Sequence, residues 1–87
     1  MLEKDAPNKK VVIYTANYCP FCRSAKKLLQ EKNISFEEID VTDDAEMRRR
    51  LVEMSGGRET VPQIFVDGRS IGGYQELVEL YRCGSVL

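Results

Sequence analysis

The sequence predicts an α/β domain built on a four-stranded mixed sheet, with elements in the order β-α-β-α-β-β-α and helices on the faces of the sheet. Three observations predict it. β-Branched and aromatic runs alternate with stretches of helical periodicity over the first part of the chain. The first two strands are separated by a helix of about twelve residues, which makes them parallel and joined by a right-handed crossover. Asp67-Gly68 between two short apolar runs is a hairpin signal, so the last two strands are antiparallel. With 87 residues there is room for one core and no second domain.

Residues 1–9 read as a frayed polar lead-in, since Pro7 and Asn8 discourage regular structure, and the folded domain is expected over 10–87. Val11-Val12-Ile13-Tyr14 is a buried strand. Ala25, Leu28 and Leu29 then recur at i, i+3 and i+4 with lysines opposite, an amphipathic helix over roughly 21–32 that Asn33 closes in the left-handed conformation. Ser35 to Val41 alternates Phe36, Ile39 and Val41 with acidic residues, a second strand. Thr42 or Asp43 caps a second helix, whose acidic first turn and later Arg48-Arg49-Arg50 suit the helix dipole. Met47, Leu51 and Met54 are its apolar stripe, and Gly56-Gly57 ends it. Gln63 to Val66 and Arg69 to Ile71 form the hairpin, Gly72-Gly73 breaks the chain, and Leu77, Leu80 and Tyr81 mark one face of a final helix.

Composition excludes several functions. A chain with no histidine has no Ser-His-Asp or Cys-His catalysis and no His-containing metal site. A net charge of −1 argues against nucleic-acid binding by bulk electrostatics. No apolar run approaches the ~18 residues of a spanning helix and no leader segment is visible, so a cytoplasmic protein with no membrane partner is expected. Three cysteines, two of them close together, are not the disulfide framework of a secreted mini-protein.

Cys19-Pro20-Phe21-Cys22 falls where the first strand hands over to the first helix. Pro20 suits the first helical position, where its missing N–H costs nothing. Cys19 then lies beside the free amides of the helix start, which favour an anion, while Cys22 sits one turn in and more covered. The spacing assigns Cys19 the attack and Cys22 the resolution. The alternatives are a metal half-site and a structural disulfide. A closed zinc site needs four ligands, and beyond this pair only Cys83 remains, so the expectation is dithiol–disulfide chemistry and no metal. Cys83 itself reads as a small packed hydrophobe at the end of the last helix, and the Arg48–Arg50 run as a solvated helix face.

These residues, with Thr60-Val61-Pro62-Gln63-Ile64-Phe65, Asp67-Gly68 and Ile71-Gly72-Gly73-Tyr74 following in order, resemble a dithiol glutaredoxin of the thioredoxin fold, most like the small bacterial type. The resemblance runs from about Lys10 to Leu80. It implies a glutathione-dependent thiol–disulfide oxidoreductase, a monomer with no bound cofactor and glutathione as co-substrate, acting on disulfide or glutathionylated proteins. It further implies a cis Val61–Pro62 bond against the active-site sulfurs and a glutathione site made by Phe21, Thr60, Val61, Pro62, Gly73, Tyr74 and Gln75. There the Val61 backbone would pair with the cysteine of glutathione, and the Tyr74 and Gln75 amides would hold the γ-glutamyl carboxylate. The chain departs from the family pattern at several points. Ala16 replaces a lysine three residues before the first cysteine, with Arg58 a candidate to supply the missing cation. Glu76 stands in place of an aspartate and has the reach for the γ-glutamyl amine. Phe21 replaces a tyrosine, and the segment from Ser55 to Glu59 is one residue longer than usual. Two other readings go with such a fold: a redoxin served by thioredoxin reductase, and an iron–sulfur cluster carrier, which Pro20 disfavours.

Overall fold

Strand β1 (Val11–Thr15) lies inside the sheet, parallel to β2 (Glu37–Asp40) on one side and antiparallel to β3 (Gln63–Val66) on the other. β4 (Arg69–Gly72) pairs antiparallel with β3, giving the order β2-β1-β3-β4. The computed structural model describes residues 10–82; the expected lead-in over residues 1–9 and the expected packing of Cys83 lie outside the described residues. The parallel crossover and the antiparallel hairpin both match the sequence reading. At the hairpin tip Asp67 and Gly68 both take positive φ, 53° and 82°, which matches the twist of the flanking strands.

Alternation along β1 sends its side chains to two cores. Val11 and Ile13 pack with Ala25 and Leu29 of α1 (Pro20–Glu31), Leu77 of α3 (Tyr74–Arg82) and Ile64. Tyr14 packs on the other face with Phe65, Val41 and Leu51, the last from α2 (Ala45–Met54). The Tyr14 and Phe65 rings meet edge to face, 5.5 Å between centroids. Burial on both faces is why β1 reads as a continuous apolar run. Among the described residues no helix is long and apolar enough to cross a membrane.

Several expectations are corrected. The second strand is only Glu37–Asp40, because the Asp40 carboxylate accepts the Thr42 N–H at 2.8 Å and turns the chain at once. Val41, expected in that strand, is instead fully buried beneath α2. The cap of α2 is Asp44, not Thr42 or Asp43: its carboxylate accepts the Met47 N–H at 3.0 Å. Thr42 serves another end, its Oγ1 accepting the Asn17 N–H at 2.9 Å. Met54, the last residue of α2, is 47% exposed and outside the core, whereas Met47 and Leu51 do face it. On α3 the packed seam is Tyr74, Leu77 and Tyr81; Leu80 is half-buried beside it.

Candidate active site

The hydrogen bond from Asn17 to Thr42 fixes the chain as it leaves β1, and the Cys19 N–H donates to the Ala16 carbonyl at 3.3 Å. Cys19 is the N-cap of α1, with Pro20 following at the first helical position. In this place its sulfur does what a capping oxygen usually does, accepting the Cys22 N–H at 3.3 Å. The Cys19 thiol in turn donates to the Val61 carbonyl at 3.4 Å. Both thiols are free, and they differ in cover: Cys19 is 8% exposed and Cys22 1%. Burial, reinforced by the neighbouring Cys19 side chain, pushes the Cys22 thiol up to about 12. The greater cover expected of Cys22 is therefore present in the geometry.

Lys26, one turn beyond Cys22, is engaged in an ion pair. Its Nζ donates to Glu38 at 2.9 Å, and the same carboxylate oxygen accepts the hydroxyl of buried Thr15 at 2.7 Å. These partners, Lys26 first, hold the Glu38 carboxyl below its usual range. Arg23 and Lys27 are exposed.

Opposite Cys19 runs the loop from α2 to β3. Gly56 and Gly57, both at positive φ, turn the chain after the Ser55 cap. Ser55 Oγ accepts the Arg58 N–H at 2.9 Å, and the buried Gln63 amide donates to the Arg58 carbonyl at 2.9 Å. The Val61–Pro62 bond is cis, and Val61 packs on Ala16, Cys19 and Cys22.

Val61 separates two depressions. Every residue expected to bind glutathione, namely Phe21, Thr60, Val61, Pro62, Gly73, Tyr74 and Gln75, lines one of about 160 Å³, with Arg58 and Glu76 in the same wall. The Phe21 and Tyr74 rings stack there, centroids 5.9 Å apart, with Phe21 58% exposed. The other, of about 370 Å³, opens on Cys19 between Tyr18 and Pro20 on one side and Arg48, Leu51 and Glu59 on the other. Arg48 is exposed, as expected of the Arg48–Arg50 run, and it also lines this depression, which sequence reasoning did not foresee. Its place three residues before buried Leu51 was the available signal, because i and i+3 share a helix face. Arg58, the candidate to supply the cation missing at Ala16, instead pairs with Glu76 at 3.1 Å. Glu76 has folded back on its own helix, accepting the Gly73 N–H at 2.8 Å, and this contact, then Arg58, lowers its pKa.

A family model described as Glutaredoxin matches residues 11–71. Glutaredoxin 3 of Escherichia coli is 46% identical over 70 residues, covering 80% of this chain and 83% of that protein. Glutaredoxin 1 of Rickettsia conorii is 43% identical over 75 residues, covering 85% and 74%. Among solved structures, a buckwheat glutaredoxin–glutathione complex superimposes with a TM-score of 0.80 at 26% identity, covering 87% of this chain and 71% of that one. Glutaredoxin 1 from Francisella tularensis, complexed with cacodylate, does so at 0.75 with 40% identity, covering 86% and 94%.

Proposed function

This chain belongs to the glutaredoxin family, and from that premise we propose that it runs dithiol chemistry with Cys19 as the attacking and Cys22 as the resolving sulfur. The reaction class follows from the family: thiol–disulfide exchange with glutathione as co-substrate. What supports the role of each sulfur is the difference in cover between a capped, reachable Cys19 and a Cys22 only 1% exposed.

In the first step the Cys19 thiolate attacks the glutathione sulfur of a glutathionylated protein. The Cys19–glutathione disulfide forms, and the protein thiolate leaves and takes up a proton. A second glutathione thiolate then attacks the glutathione sulfur of that mixed disulfide, releasing oxidised glutathione and restoring Cys19. For a protein disulfide, Cys19 attacks one sulfur and Cys22 displaces the protein, leaving a Cys19–Cys22 disulfide that two glutathiones reduce in turn. Proximity gives the Cys22 attack its high effective concentration.

Glutathione crosses Val61 in this reading. Its cysteine backbone pairs with Val61, whose carbonyl loses its present donor once Cys19 is deprotonated and so becomes open to an incoming N–H. Its γ-glutamyl carboxylate meets the Tyr74 and Gln75 amides at the start of α3, which have no intrahelical partners. Phe21, Thr60, Pro62 and Gly73 wall that end. Its glycyl carboxylate points into the wider depression, where Arg48 offers the cation that Ala16 does not. The protein acts as a monomer in the cytosol on glutathionylated and disulfide-bonded proteins, with no nucleic-acid, membrane or metal partner. The test compares reductants. Glutathione should reduce the Cys19–Cys22 disulfide and sustain turnover; reduction by thioredoxin reductase with glutathione inert would overturn the proposal.

A further inference from the structure

Arg58 and Glu76 reach towards each other from opposite sides of the narrower depression. Glu76 is the third residue of α3 (Tyr74–Arg82), and its Oε1 accepts the N–H of Gly73 at 2.8 Å, the side-chain half of a capping box. Such a carboxylate commonly leaves its second oxygen to water. Here Oε2 lies 3.1 Å from the Arg58 guanidinium. The backbone that carries Arg58 is fixed on both sides, its N–H held by Ser55 Oγ and its carbonyl by the Gln63 amide. The space around the pair is also set by glycine. A Cβ on Gly72, which has a φ of 108°, would stand 2.6 Å from Glu76 Cγ, so the Glu76 side chain lies over a position that only glycine leaves open.

Stability does not account for this arrangement, since the two side chains are 35% and 44% exposed and an ion pair that open to water contributes little. Its location gives it another consequence. The start of α3 presents the Tyr74 and Gln75 amides to the same depression, and any carboxylate there is drawn to them by the helix dipole. Glu76 is the nearest carboxylate along the chain. Released, it would compete for those amides with the carboxylate of an incoming ligand and repel that carboxylate by its charge.

We infer that Arg58 is a positioning residue for glutathione recognition: by holding Oε2 of Glu76 it keeps that carboxylate turned back on Gly73 and leaves the Tyr74 and Gln75 amides open to the γ-glutamyl carboxylate. The inference rests on the glutathione reading above and adds to it a residue that acts through another rather than on the ligand.

The test uses one peptide carrying two different mixed disulfides, one with glutathione and one with cysteinylglycine, which lacks the γ-glutamyl group. The readout is the ratio of kcat/KM for the two. In the wild type the ratio favours glutathione. R58Q lowers it roughly two- to fivefold, the scale of an exposed ion pair, and R58K recovers most of the loss. In an E76Q background, where no carboxylate remains to compete, R58Q leaves the ratio unchanged. A ratio that R58Q does not move, or one that it lowers equally with and without Glu76, overturns the positioning role; R58M, which also removes the charge, gives the same comparison in both backgrounds if R58Q does not fold. A wild-type enzyme with no preference between the two disulfides would instead overturn the glutathione reading itself, a different result from a flat response to R58Q.

Discussion

The thiol of Cys19 and the carbonyl of Val61, 42 residues apart in the chain, meet at 3.4 Å. That contact joins the start of α1 to the cis-proline loop, and it places the Cys19 sulfur beside Val61, at the wider of the two depressions. It also orders the chemistry, because one atom pair holds the resting thiol and, once the proton has gone, presents a free backbone acceptor beside the sulfur.

From this arrangement the two sulfurs are expected to fail differently. Cys19→Ser should abolish release of oxidised glutathione from every disulfide substrate. Cys22→Ser should keep turnover on a glutathionylated peptide, since glutathione alone can clear Cys19, and should lose most activity on a protein disulfide. Coupled measurement of oxidised glutathione for both substrates checks this. Equal loss in the two variants would show that Cys22 does more than resolve.

The second prediction concerns pH. Burial pushes the Cys22 thiol up to about 12, so its thiolate is scarce at neutrality. Burial is the largest cause and persists when Cys19 is in a mixed disulfide, whereas the contributions of the Cys19 side chain do not. Closure of the Cys19–Cys22 disulfide should therefore quicken about tenfold per pH unit from pH 7 to 9 with no plateau, as expected for a thiol still below its pKa. Rapid acid quench of the pre-formed mixed disulfide follows it. A plateau below pH 8 would mean that the thiol is far more ionised in that state than its burial implies.

Much of the site was legible because it is carried by short motifs whose geometry is local. Cys19 to Cys22 spans one helical turn, and Gly72-Gly73 before an apolar periodicity announces a helix start. The crossover and hairpin followed from connection lengths, but nothing in either says that β3 would lie antiparallel against β1. Contacts between segments far apart in the chain were not legible. Thr42 is as good a cap as Asp44 by residue type; it was removed from that role by Asn17, 25 residues before it. Arg58 and Glu76 were each singled out for a separate role, and only the fold, bringing the cis-proline loop to the start of α3, shows that they pair with each other. Arg48 was obscured by its two neighbours, since a run of arginines reads as one solvated face although only Arg48 lines the depression beside Cys19.

Arg48 supplies the third prediction. As the cation in the wider depression, it should steer and hold the glycyl carboxylate, so Arg48→Gln should lower kcat/KM for a glutathionylated peptide roughly two- to fivefold, with a shallower dependence on ionic strength. Arg49→Gln changes the same net charge away from the depression and should have little effect. Matched losses in the two variants would reduce the role of Arg48 to bulk charge.

The fourth prediction separates core from rim. Leu29 is fully buried in the cluster beneath α1, and Leu29→Ala should cost about 2–5 kcal/mol through lost transfer energy and a residual cavity. Met54 was expected in the core but is 47% exposed, and Met54→Ala should stay within about 0.5 kcal/mol. Urea midpoints at unchanged slope measure both.

The last prediction is acid lability. Glu38 is held below its usual carboxyl range by Lys26 and Thr15, and Glu76 by the Gly73 amide and Arg58. A carboxyl whose folded pKa is depressed binds its proton more weakly in the folded than in the unfolded chain, so it stabilises the fold above its unfolded pKa of about 4.5 and ceases to as pH falls through the lower folded value. Stability should hold from neutrality down to about pH 5 and then decline. Glu38→Gln removes one such contributor while keeping an acceptor for Thr15. Its urea midpoint should fall below that of the wild type at pH 7, and the two should converge near pH 3, where the wild-type carboxyl is itself protonated. A gap of equal size at both pH values would assign the effect of Glu38 to packing rather than to its charge.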